Sequence, residues 1–99
     1  MKRKITGKKV FGALLREWRE FSQLTQKQIS EEVGYSTAQF VSNWERGVSY
    51  PPIDAIKPLA KILNQTIGHV LYELYDCKHE DLDSEHEMLS KKLEVKGTK

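Results

Sequence analysis

Drawn on a helical wheel at 100° per residue, the stretch YSTAQFVSNWERG divides into two unlike sides. Ala38, Gln39, Ser42, Asn43 and Arg46 share one side, while Phe40, Val41 and Trp44 take the other, with Glu45 at its margin. A primary amide carries an acceptor and two donor hydrogens, and a hydroxyl can play either part. The polar side therefore offers directional hydrogen bonds at short reach. A solvated helix face is ordinarily filled with Lys and Glu, which form helix well and keep a chain soluble. Here short side chains and amides stand in their place. Catalysis is not expected, because no nucleophile is accompanied by a base and an orienting acid. His69, His79 and His86 have no mutual spacing that would suit it. Asp76, Cys77, His79 and Glu80 lie close together, but no second Cys or paired His supports a metal site. No metal and no cofactor is expected. The chemistry of this chain is recognition.

Helices must hold that face in place, since every long periodic segment repeats at 3.6 residues and none alternates like a strand. The first is expected from about Lys8 to Ser22, burying Phe11, Leu14 or Leu15, and Trp18. In the second, Thr25 and Gln28 make a capping box flanked by Leu24 and Ile29 as a hydrophobic staple. It ends at Gly34, a residue suited to the left-handed position after a helix. Ser36 with Gln39 repeats the capping signal, with Tyr35 and Phe40 as staple, and Thr37 is an equally good cap. Two helices separated by three or four residues make a helix-turn-helix. Ser30, small and inward-facing beside Ile29 and Val33, would let them approach closely. Gly47 stops the third helix. A fourth covers roughly Ile53 to Asn64 and buries Ile53, Ile56, Leu59, Ala60 and Leu63, with Pro58 expected to kink or restart it. Thr66 can cap a fifth carrying Ile67, Val70, Leu71 and Leu74. Beyond Tyr75 the chain turns polar. SEHEMLSKKL has a capping box in Ser84 and Glu87, and Leu82, Leu89 and Leu93 offer contacts, so this end reads as a marginal helix or a frayed tail.

The 99 residues, 38% of them hydrophobic, suit one small domain with a modest core. The division expected is a basic arm over 1–7, a helical domain over 8–75 and a charged tail over 76–99. No apolar run approaches the roughly 20 residues of a membrane helix, and VFGALL is too short for a signal-peptide core. A lone cysteine cannot form an internal disulfide, which agrees with a cytoplasmic location. Net charge is +2, but its distribution is uneven. Residues 1–50 hold nine Lys and Arg against five Glu, whereas residues 76–99 hold five Lys against seven acids. The half carrying the amide face is thus the basic half, which points to a polyanionic partner.

LLREWREFSQLTQKQISEEVGYSTAQFVSNWERG, followed by Pro51 and LAKIL, resembles the Cro/phage-repressor (XRE-type) helix-turn-helix family from about Phe11 to Leu71. The elements in family order are Leu24-Thr25-Gln26, Gly34, Trp44-Glu45-Arg46-Gly47 and Leu59-Ala60. The resemblance implies an all-α, five-helix, lambda-repressor-like domain whose third helix enters the DNA major groove. It implies transcriptional regulation, typically by dimers on palindromic operators. By position it makes Gln26 a phosphate contact and pairs Arg19 with Glu45, which would explain a charge on the apolar margin. This chain departs from the family in having one residue more between Gly34 and Trp44, in Pro58, and in lacking basic residues after Gly47.

Registered back from Trp44, the groove-facing residues are Ala38, Gln39, Ser42 and Asn43. Gln and Asn can bond adenine bidentately, Ser can donate or accept, and Ala can meet a thymine methyl. Long mobile side chains would hold the helix off the bases. Thr37 and Arg46 are placed for phosphates, and Lys8 and Lys9 belong to a basic N-terminal stretch that would follow the backbone or serve only solubility. The expected protein is a DNA-binding regulator, a repressor acting as a homodimer on a palindromic operator, with no membrane partner. The alternatives are an antitoxin using the C-terminal tail to bind a protein, a controller of a restriction–modification system, or an interaction module that has lost DNA binding.

Overall fold

A computed structural model of the protein describes residues 6–81, and all regular structure among them is helical. α1 spans Gly7–Phe21, α2 Gln26–Val33, α3 Gln39–Glu45 and α4 Ile53–Ile62, and α5 occupies residues 67–81. The expectations for residues 1–5 and for Leu82, Ser84, Glu87, Met88, Leu89 and Leu93 lie outside the described residues.

Local signals set most of these limits. Thr6 caps α1, its Oγ1 accepting from the Lys9 N–H at 3.3 Å. At α2 the capping box is complete: Thr25 Oγ1 accepts from the Gln28 N–H at 3.1 Å, and Gln28 Oε1 accepts from the Thr25 N–H at 2.8 Å. A cap of this kind is worth about 1 kcal/mol. Gly34 then closes α2 with φ of 102°, a conformation that costs residues with a Cβ.

The second capping box, Ser36 with Gln39, does not form. Ala38 takes the cap position of α3 with no side-chain bond, and Thr37 Oγ1 accepts from the Gln39 N–H at 3.3 Å. That bond holds a local turn instead of a helix start. The connection therefore runs over residues 34–38, longer than the three or four expected, and it takes up the additional residue before Trp44. Pro58 neither breaks nor restarts α4, which is continuous across it. Only the bond to the carbonyl of exposed Asp54 is forgone, while the stripe of Ala55, Ile56, Leu59 and Ala60 stays buried on the opposite side. α5 runs on past Tyr75.

Two apolar clusters fill the interior. Leu15, Ile29, Val41, Trp44, Ala55, Leu59 and Leu63 join α1 to α4, and Phe11, Ile56, Ala60, Val70, Leu74 and Cys77 fasten α5 to α1 and α4. Of the two leucine candidates in α1, Leu15 is buried and Leu14 half-buried. Ser30 is fully buried. Trp18 is only partly buried and packs against both clusters, its ring edge-on to Phe11 at 6.4 Å. Three residues expected inside are exposed: Phe40, Ile53 and Ile67. Ile53 and Ile67 open their helices, and the buried stripes begin farther on, at Ala55 and Val70.

The fold closes at one corner. Asp81 on α5 accepts from the Gly7 N–H at 2.6 Å and from the Tyr50 hydroxyl at 2.5 Å. Gly7 is needed there because a Cβ would lie 2.1 Å from the Cys77 carbonyl oxygen. No helix among the described residues is long and apolar enough to cross a membrane.

Candidate nucleic-acid interface

α3 is seven residues long, too short to be stable alone, so its seat decides its orientation. Val41 and Trp44 are buried in the first cluster, which turns Gln39 outward and leaves Ala38, Ser42 and Asn43 half-buried. α1 lies directly behind. At Gly12 an added Cβ would stand 2.4 Å from the Trp44 carbonyl oxygen and 2.5 Å from that of Glu45, so only glycine lets the two backbones come this close. Gly12 was not among the residues singled out from sequence. Its signal is a lone glycine inside an otherwise regular amphipathic helix.

The end of α3 is tied down by charge. Arg19 donates from Nε to Glu45 Oε2 at 2.6 Å and from Nη2 to Glu45 Oε1 at 3.1 Å, a bidentate pair. Its Nη1 also donates to the Leu24 carbonyl at 2.9 Å. Hydrogen bonding to Glu45 raises the Arg19 pKa further above its ordinary value, outweighing the opposite effect of burial. Gln26 joins this group, donating from Nε2 to Glu45 Oε1 at 3.0 Å. One of its two amide hydrogens is engaged there.

On the outer side the polar residues form a connected set. Gln39 Nε2 donates to Asn43 Oδ1 at 3.0 Å, and Arg46 Nη2 donates to the same oxygen at 2.6 Å. Arg46 Nε donates to Ser42 Oγ at 3.3 Å. The Gln39 side chain is thus turned along the helix and takes no part in capping. Its Oε1 and second amide hydrogen remain a matched acceptor and donor. Lys9 packs beside Gly47, where an added Cβ would meet Lys9 Cγ at 2.6 Å, so a lysine of α1 sits next to the Arg46 end of α3. Gly47 itself has φ of 77°. Lys8 and Thr37 are exposed, Thr37 in the turn before α3. The site residues drawn from sequence fall into two groups on either side of α3. Ala38, Gln39, Ser42, Asn43 and Arg46 face outward, while Arg19, Glu45 and Gln26 lock the helix from behind.

The helix-turn-helix family profile matches residues 15–70, more than half of the chain. An HTH-type transcriptional activator, BcrR of Enterococcus faecalis, is 33% identical over 61 residues, which cover 62% of this chain and 29% of that protein. The chain thus spans less than a third of the length of that relative. Two crystal structures of the clp gene regulator ClgR from Corynebacterium glutamicum share the fold. One has a TM-score of 0.62 at 21% identity, covering 95% of this chain and 97% of its own, and the other 0.59 at 20%, covering 74% and 94%. Helix order, the α2–turn–α3 unit and the matched profile place this chain in the Cro/phage-repressor (XRE-type) helix-turn-helix family of transcription regulators.

Proposed function

We propose that this chain is a sequence-specific DNA-binding regulator that lays α3 in the major groove and reads bases with Ala38, Gln39, Ser42 and Asn43. The observation that carries the reading is an outward-facing set of amides and a hydroxyl, Gln39 exposed and Ser42 and Asn43 half-buried, on a helix whose other side is locked to the core. Gln39, with one acceptor and one donor still open, has the complement of adenine N6 and N7. Lys8, Lys9, Arg46 and Thr37 flank the reading face as phosphate contacts. Gln26 joins them through its remaining amide hydrogen.

A domain of this size reads few base pairs, so the operator is a palindrome bound by a homodimer, with half-sites about 34–36 Å apart. The protein acts in the cytoplasm, and it represses. Occupying a promoter excludes polymerase by bulk alone, whereas activation needs a further surface that touches the transcription machinery. The similar protein BcrR bears the name of an activator, but this chain matches only a small part of it.

Selection of bound sequences from a random duplex pool tests the reading. A palindrome with half-sites one helical turn apart is expected. Retention without enrichment of any sequence would contradict it.

A further inference from the structure

We infer that Phe40 is a specificity-determining residue, receiving the C5-methyl group of a thymine at one position in each half-site. The inference rests on the reading of α3 as the groove-reading helix.

Phe40 is the second residue of α3, and the N-terminal residues of such a helix are those that reach base edges. It lies 60° from Asn43 on the wheel, at the border between the amide face and the buried face. The residue is 49% exposed. The ring is nonetheless held. It stacks on Tyr35 with centroids 4.5 Å apart and planes 27° from parallel. Tyr35 in turn meets Trp44 edge-on at 5.8 Å and packs against the first core cluster. One side of the Phe40 ring is therefore covered by a two-ring support fixed to the core, and the residue as a whole remains half open. An aromatic already immobilised in this way loses little conformational freedom when a partner arrives.

The major groove offers one apolar group, the thymine methyl, and Phe is among the side chains that meet it. The neighbouring Gln39, with an acceptor and a donor open, has the chemistry to read adenine. An A·T-containing half-site would thus present both halves of what this edge of α3 offers. A ring kept only to cover Tyr35 would have no dependence on that methyl, which gives a clean separation.

The experiment places uracil, which pairs as thymine does but lacks the methyl, at each thymine of a selected operator in turn. The full chain and its Phe40→Ala variant are titrated on every duplex, and the variant's melting temperature is recorded. At one thymine per half-site, uracil should weaken the unaltered protein about fourfold, or about fifteenfold when both half-sites are changed. The same duplexes should leave the affinity of Phe40→Ala unchanged relative to its own value on thymine. Specific binding with no responsive thymine, or a response of equal size in Phe40→Ala, overturns the assignment to Phe40 alone. Because Ala38 could also meet a thymine methyl, Ala38→Gly is titrated on the same duplexes: the response should persist in it, and its loss there overturns the assignment even if Phe40→Ala folds poorly. If no sequence is bound preferentially at all, the reading of α3 falls, and this inference with it.

Discussion

The carboxylate of Glu45 has a side chain only 4% exposed, and three donor hydrogens from Arg19 and Gln26 meet its two oxygens. Removing one partner of a buried pair costs more than the pair itself contributes, because the remaining charge is left without a counterpart. Arg19→Met should therefore lower unfolding free energy by about 3 kcal/mol, measured by urea denaturation. The double variant Arg19→Met with Glu45→Met should recover most of that loss. A single variant within about 0.5 kcal/mol of the parent would show the pair to be worth no more than an exposed one. At this scale the sequence carries a visible cue, a glutamate on the apolar margin of a helix, since such a charge demands a partner. Phe40 carries none that a wheel can read. The wheel gives an angle around the axis but not what lies opposite it, and here Tyr35 covers only part of the ring.

At the scale of elements, α1 is the bench on which α3 rests, and Gly12 sets the distance between them. Gly12→Ala should cost about 1–3 kcal/mol of stability, the usual penalty for overfilling a tightly packed site. Against Gly12, the partner atoms are backbone carbonyls that cannot turn aside. Thermal or urea unfolding measures this, and weaker operator binding should accompany it. An unchanged midpoint would mean that α1 and α3 can part freely. The start of α1 carries the proposed phosphate contacts Lys8 and Lys9, both exposed, with Lys9 beside Gly47. Replacing both with Ala should reduce the slope of log affinity against log salt by about two, near one for each phosphate no longer neutralised. An unaltered slope would remove them from the interface. Helix order and the α2 limits were legible because capping boxes and left-handed glycines act over a few residues. The start of α3 was not, because Ser36 and Thr37 compete for the same N–H groups and Thr37 engages one two residues on. The continuity of α4 across Pro58 was hidden for a related reason: packing of the opposite face outweighs one missing hydrogen bond.

The molecule as a whole is closed by α5, whose residues Cys77 and Asp81 bear on the start of α1 and on Tyr50. Burial pushes the Cys77 thiol up to about 11. Burial, aided by the bond to Asp81, holds the Tyr50 proton more firmly still. Both groups bind protons more tightly folded than unfolded, so their contribution is complete below the unfolded thiol value near 9 and declines as pH rises through 11 and beyond. The melting temperature should fall across that range, and Cys77→Ala should fall less steeply between pH 9 and 11. Equal slopes would mean that the thiol is not protected by the closure of α5. Whether the amide face of α3 is what distinguishes one DNA sequence from another is tested most directly by Gln39→Ala, titrated on a selected operator and on a random duplex under the same salt. The account predicts a loss of about 1–3 kcal/mol on the operator and almost none on random DNA. Equal losses on the two duplexes would contradict it.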